Sequence, residues 1–270
     1  MKKFKHLFLL ALVLSAVFLC CGFNEAEPLT ETDLKNYLYG ISTELVLNSD
    51  GELSEADTEA YLYEEAFNWY QKYAEQGDAY AQYGLAVYYT DGTGTEQNFE
   101  KAFEWYQKSA EQGYPKAQYS LGWRYHEGQG TEQSSEKAFE WWQKAAEQGL
   151  AKARLLLARC YEVGDGTEQN YDKAFEWWRK AAEQGLAEAQ GMLALYYELG
   201  IAVEQDYKKA FEWYQKAAEQ GHDTAQYELG NHYYYGHGTE KSYIKAFEWY
   251  MKAAAQGNAA AEEALANFGK

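Results

Sequence analysis

Apolar and polar positions recur along this chain at a fixed interval. The stretch Ala66-Phe67-Asn68-Trp69-Tyr70-Gln71-Lys72 returns almost unchanged from Ala102, Ala138, Ala174, Ala210 and Ala246, each 36 residues after the last. Each copy runs on to a Gln-Gly pair that ends at Gly77, Gly113, Gly149, Gly185, Gly221 and Gly257. Self-similarity at one period marks an array whose unit is a single supersecondary element. Five complete units fill residues 78–257.

Each unit reads as two helices. In the first, from about Ala79 to Thr90, the recurring positions are Ala81, Leu85, a small residue at Ala86, and Tyr89. At 100° per residue they fall within an arc of about 140°, an amphipathic stripe. A glycine follows at Gly92, Gly128, Gly164, Gly200 and Gly236, where a helix C-terminus calls for positive φ. A second glycine comes two residues later, except that Ala202 takes its place in the fourth unit. The second helix opens at Asn98, Ser134, Asn170, Asp206 and Ser242, all good N-cap types. It buries Ala102, Phe103, Trp105, Tyr106 and Ala110, with Glu104 and Lys108 spaced for an exposed ion pair.

One such hairpin cannot cover both of its apolar faces, so neighbours must stack, and stability becomes a sum over adjacent units. The fold class expected is all-α, an α/α solenoid of 36-residue helix-turn-helix repeats. Residues 54–77 read as an N-terminal capping helix, opened by the capping-box pattern Ser54-Glu55-Ala56-Asp57. Residues 258–270, with Ala261, Leu265 and Ala266, read as an unpaired first helix that caps the other end.

The N-terminus follows another logic. Lys2, Lys3 and Lys5 precede an apolar run of 13 residues, Leu7 to Leu19, and then Cys20-Cys21-Gly22. This is the layout of a secretory signal peptide over residues 1–22, too short to span a bilayer. Its end resembles a lipobox, with Cys21 the better lipidation candidate and plain cleavage near Gly22 the alternative. Residues 23–53, with Leu34, Tyr37, Leu38 and Ile41 at helical spacing, form a linker or short helix. Removing the signal leaves 21 basic against 42 acidic residues, a charge of −21 that disfavours nucleic acid and anionic lipid and favours basic partners. Cys160 is then the sole cysteine, so packing rather than disulfides must hold the mature chain.

The pattern Ala117-Gln118, Leu121-Gly122, Tyr125, Gly128, Gly130, Lys137-Ala138, Trp141-Trp142, Lys144-Ala145-Ala146-Glu147-Gln148-Gly149 resembles the Sel1-like repeat. The resemblance covers about three quarters of the chain. It implies a tetratricopeptide-type right-handed superhelix with a concave groove, of the kind that bacterial exported adaptors use in envelope signalling or host contact. It also implies that the groove is lined by the first-helix face opposite the core stripe, which the angular count gives independently. On that face stand Tyr80, Tyr83 and Val87, then Tyr119 and Trp123, Leu155 and Arg159, Leu195, and Tyr227 and Asn231. These residues vary between repeats while the stripe hardly changes, and Tyr and Trp are favoured interface anchors. The alternative is that Tyr83, Tyr119 and Trp123 simply pack against neighbouring first helices.

Catalytic chemistry is not announced. His232 and His237 lie five apart without a carboxylate at ligand spacing, and His126-Glu127 lacks the second histidine of a zinc-protease motif. Each histidine reads as surface or semi-buried. The Gly92-Thr93-Gly94 copies read as turns, since no Lys-Ser or Lys-Thr follows. Cys160 stands where sibling repeats carry Tyr88 or Tyr196, which points to packing. Asn48-x-Asp50-Gly51 looks like part of a calcium loop, but Val46 would fall on its first ligand position, so an Asp-Gly turn is favoured. The expectation is an exported, non-catalytic scaffold of the periplasm or cell envelope that binds a protein or peptide, without metal, cofactor, nucleic acid or membrane insertion. A secreted host-interaction protein is the alternative. The Helicobacter cysteine-rich branch of the family, linked to β-lactams, carries a disulfide in each repeat, which this chain cannot form; a β-lactam-binding or hydrolysing enzyme is the least favoured reading.

Overall fold

The computed structural model describes residues 55–269. The signal segment, Cys21, residues 23–53, the calcium-like turn and the Ser54 end of the capping box lie outside the described residues. The chain divides between Trp141 and Trp142 into two compact units. The first holds α1 (Glu55–Glu75), α2 (Ala79–Asp91), α3 (Phe99–Glu111), α4 (Pro115–Glu127) and the opening half of α5 (Ser135–Glu147). The second holds the rest of α5, then α6 (Ala151–Val163), α7 (Tyr171–Glu183), α8 (Ala187–Leu199), α9 (Tyr207–Glu219), α10 (Asp223–Tyr235), α11 (Tyr243–Ala254) and α12 (Ala259–Ala266). No strand occurs among the described residues.

Within each unit, helices pack against their neighbours in the chain. Local chemistry sets the boundaries. Each first helix of a repeat ends at a left-handed glycine: Gly92, Gly128, Gly164, Gly200 and Gly236 have φ of 69–79°. Each second helix begins at its expected cap. Asn98, Asn170, Asp206 and Ser242 accept the N–H three residues on, and the Ser134 hydroxyl accepts that of Lys137 at 3.2 Å. The cap's own N–H donates back to the tyrosine carbonyl of the first helix, at 2.8 Å from Asn98 to Tyr89 and 2.7 Å from Asn170 to Tyr161. The turn is thereby closed from both sides.

The second turn glycine presses on the preceding repeat. A Cβ at Gly130 would fall 2.1 Å from the Phe99 carbonyl oxygen, and at Gly238 2.1 Å from that of Tyr207. Ala202 holds the same left-handed conformation, φ 57°, and is the one non-glycine with positive φ among the described residues. That conformation costs an L-residue about 1–2 kcal/mol.

The core of each unit is a repeated set. Ala81, Leu85, Ala86 and their equivalents are buried, as are the second-helix residues Ala102, Tyr106 and Ala110 and theirs, except half-buried Ala254. Phe103 meets Tyr125 edge-on at 5.2 Å, and Phe211 meets Tyr233 in the same way at 5.3 Å. Lys101, Lys173, Lys209 and Lys245 lie over the rings of Tyr89, Tyr161, Tyr197 and Tyr233 at 5.0–5.2 Å. The lysine spaced to pair with Glu104 does something else: Lys108 stands 3.9 Å from the centre of the Trp105 ring, and Lys216 and Lys252 stand 3.7 Å from Trp213 and Trp249. The indole lies three residues earlier on the same helix face, and a cation–π contact there competes with a solvated ion pair.

The glutamine of the Ala-Gln motif is structural. Gln82, Gln118, Gln190 and Gln226 are buried, and each donates to a carbonyl near the end of the preceding helix: Ala74, Ala110, Ala182 and Ala218, at 3.1–3.2 Å. The glutamine before the Gln-Gly glycine closes the other side. Gln112 donates to the Gly77 carbonyl at 2.9 Å and to the Gln82 side chain at 2.8 Å, and Gln256 does the same with Gly221 and Gln226. In the third repeat Arg154 replaces the buried glutamine and donates to the Ala146 carbonyl at 3.1 Å.

Candidate binding face

The first-helix face singled out by the angular count is not uniformly open. Tyr80, Tyr83 and Val87 on α2 are buried. Tyr83 packs against Tyr106 at 5.8 Å and against Tyr114 at 5.2 Å, and Tyr80 stands between Tyr70 and Tyr114. These three side chains therefore belong to the core of the first unit rather than to an open groove, and Tyr114 at the start of α4 lies against Tyr80 and Tyr83. Within the same unit Tyr119 and Trp123 are half-buried; their rings lie 6.4 Å apart, and Trp123 meets His126 at 5.4 Å.

In the second unit Leu155, Leu195, Tyr227 and Asn231 are half-buried. Arg159 is exposed and pairs with Glu188, a surface ion pair of small energetic weight. Asn231 accepts from the Tyr250 hydroxyl at 2.6 Å and donates to Glu228 at 2.9 Å. Tyr227 faces the Tyr250 ring at 5.8 Å. An open pocket of about 340 Å³ adjoins Tyr227 and Asn231, bounded also by α11, α12 and the turn that follows.

The structure brings together a buried polar pair that spacing along the chain does not reveal. His232 is fully buried, not at the surface. Its Nδ1 lies 2.7 Å from the His237 carbonyl oxygen and so carries the proton that is donated there. Its Nε2 lies 3.8 Å from Glu198 Oε1, beyond hydrogen-bond reach, and attracts the carboxylate only when the ring carries both protons. The Tyr214 hydroxyl donates to Glu198 Oε2 at 2.8 Å. Burial raises the Glu198 carboxyl, but His232 and Tyr214 outweigh it and hold the group below its ordinary range. Glu228 is pushed up by burial, opposed by Asn231 and reinforced by Glu198. One repeat earlier, the Tyr196 hydroxyl donates to Glu162 at 2.9 Å. A carboxylate near the end of one first helix thus reaches the variable interior position of the next, 34 residues on. The signal was present as Glu162 and Glu198 at equivalent places, but their partners lie in another repeat.

Cys160 is buried, and burial, reinforced by Asp165, pushes its thiol up to about 12, which leaves no thiolate for nucleophilic chemistry near neutrality. Among the described residues no three His, Cys, Asp or Glu side chains are placed to hold a metal ion, and no helix is long and apolar enough to cross a membrane.

The Sel1 repeat model matches residues 56–78, 79–114, 115–150, 151–186, 187–222 and 223–258. Among solved structures, the chain is similar to c5321, a protective antigen present in uropathogenic Escherichia coli strains that displays an SLR fold. The two are 32% identical with a TM-score of 0.73, over 84% of this chain and 50% of that one, so this chain spans about half that protein's length. It is also similar to a Sel1 repeat protein from Oxalobacter formigenes, at 35% identity and a TM-score of 0.70, over 78% of this chain and 86% of that one. No curated protein matches it. Proteins of such repeats are generally non-catalytic interaction scaffolds. With the family model covering most of the chain and the helix pairs described above, the chain belongs to the Sel1 repeat family, an α/α solenoid fold.

Proposed function

We propose that this protein is an exported, non-catalytic scaffold of the periplasm or cell envelope that binds a protein or peptide on the variable face of its first helices. The observation that carries this reading is a division of labour among side chains. Residues that recur every 36 positions supply most of the core, the turns and the glutamine bridges, while Tyr80, Tyr83 and Val87 join the core of the first unit. Tyr119, Trp123, Leu155, Leu195, Tyr227 and Asn231 vary, stand half-buried and keep surface to offer. Half-exposed Tyr and Trp give large contact area at low entropic cost. The charge of −18 favours a partner with basic segments. Export rests on the Lys2 to Gly22 pattern, with Cys21 as the lipidation candidate.

The double variant Tyr119→Ala/Trp123→Ala tests the face. The wild-type chain, immobilised, should retain a partner from envelope extract that the variant loses, while both keep the same helical circular dichroism. Equal retention by the two would refute the reading. Likeness to a protective antigen of uropathogenic strains favours, as a second reading, a secreted protein that meets the host with the same face. Localisation of the tagged chain between envelope and medium separates the two.

A further inference from the structure

The repeat that contains α10 departs from its siblings where its first helix ends. At the last two positions of that helix the earlier repeats carry Thr90-Asp91, His126-Glu127, Glu162-Val163 and Glu198-Leu199; here they are Tyr234-Tyr235. Tyr227, Asn231, Tyr234 and Tyr235 fall at i, i+4, i+7 and i+8 and so share one helix face. Phe268, carried on the turn after α12, faces them across the open pocket of about 340 Å³. The rings meet steeply: Tyr234 and Phe268 at 5.7 Å and 65°, Tyr250 and Phe268 at 6.1 Å and 79°, Tyr234 and Tyr235 at 5.0 Å and 78°. The Tyr250 hydroxyl is committed to Asn231, which is itself held by Glu228, so that wall is fixed in orientation. Tyr235 is 57% exposed, far more than packing requires of a tyrosine.

The charge of the pocket is one-sided. Its lining includes the carboxylate of Glu263 and no basic residue. Glu263 is exposed, and no cation pairs with it among the described residues. Aromatic rings around a space lined by one carboxylate and by no Lys, Arg or His attract an organic cation, through the ring quadrupoles and through charge, although Tyr235 also stacks on the His237 ring at 5.6 Å. The volume lies at the small end of the range for ligand sites, which suits one side chain better than a folded surface.

We propose that this aromatic pocket receives the ammonium group of a lysine side chain from a basic peptide segment of the partner. The identification of a peptide as the source rests on the scaffold function above; the chemistry of the pocket does not. Glu263 stabilises the charge, and Tyr227, Tyr234, Tyr235 and Phe268 enclose the aliphatic stem.

The test uses the full chain with tyrosine rings isotopically labelled, titrated with the capped pentapeptides Gly-Gly-Lys-Gly-Gly and Gly-Gly-norleucine-Gly-Gly while ring signals are followed by NMR. The lysine peptide should give a saturable shift of the Tyr235 signals, at least tenfold tighter than the norleucine peptide. Tyr235→Ala and Glu263→Gln, both at exposed positions, should leave the melting temperature unchanged and weaken the lysine peptide at least fivefold, read for Tyr235→Ala on the Tyr234 ring. Equal affinity for the two peptides, or undiminished lysine binding in both variants, would overturn the proposal. Equal partner capture by the wild-type chain and Tyr119→Ala/Trp123→Ala, with lysine-peptide binding intact, would refute the scaffold face alone, and the two failures are thereby distinguished.

Discussion

The helices α2 and α10 occupy the same place in their repeats and meet opposite fates. In α2 every residue from Tyr80 to Tyr89 is buried, whereas α10 leaves Tyr227, Asn231 and Tyr234 half-buried and Tyr235 exposed beside an open pocket. The difference is made two helices later. Tyr83 is clamped between Tyr106 and Tyr114. Tyr227 has the equivalent of Tyr106 in Tyr250, but the equivalent of Tyr114 is Asn258, which caps α12 and donates to Asp223 instead. The residue at the start of the following first helix thus differs between the buried face and the open one, an aromatic clamp in one and a helix cap in the other.

The largest effect expected comes from removing that clamp. Tyr114→Ala should cost about 3–5 kcal/mol, the range for truncating a buried aromatic, and should open Tyr80 and Tyr83 to solvent. Urea denaturation and tyrosine accessibility to a soluble quencher would both report it; an unchanged quenching profile would mean that another group covers α2. A methyl group on the other side of the comparison comes next. Ala86 in α2 is matched by Gly230 in α10, where a Cβ would fall 2.6 Å from the Tyr250 ring. Gly230→Ala should therefore cost about 1–3 kcal/mol and disturb the pocket wall, even though alanine is the better helix former.

A smaller effect concerns acid stability. The interior position held by Tyr88 in α2 is His232 in α10, beside Glu198. The folded Glu198 carboxyl titrates below its ordinary range, so its contribution is complete above that range and is lost as pH falls through the depressed value. Glu228, raised by burial, works in the opposite sense, so the difference between wild type and Glu198→Gln is the quantity to read. The thermal melt of the variant should depend less steeply on pH below about pH 5. The smallest effect lies in the turns: Ala202→Gly should stabilise by about 0.5–1 kcal/mol, since relief of the left-handed strain is offset by greater freedom of the unfolded chain.

What could be read from the chain follows a physical line. Caps, turn glycines, helix lengths and the buried stripe depend on residues within one turn of each other, and Asn98, Gly92, Ala81 and Leu85 do what their spacing predicts. The candidate face was legible as a set of positions but not as a surface. Helical angle places Tyr80, Tyr83 and Val87 opposite the stripe, yet cannot say that Tyr114 will lie against the two tyrosines. The His232–Glu198 pair, the lysines over indole rings and the arrival of Phe268 beside Tyr234 are likewise contacts between elements or choices among neighbours. Ala202 was visible as a departure, but that its backbone keeps the glycine conformation was not.

The glutamine bridges have a consequence for how this chain can change length. Gln190 donates back across one junction to Ala182 and accepts from Gln220 of its own repeat, and Gln184 reaches the Gly149 carbonyl of the repeat before it. Each polar link spans a single junction, and the parts on either side of it are nearly the same at every junction. Excising residues 187–222 would bring the end of α7 against Gln226, a seam chemically like the one removed. Copy number can thus drift by whole cassettes without leaving a buried amide stranded, while the variable first-helix side chains come and go with the units that carry them.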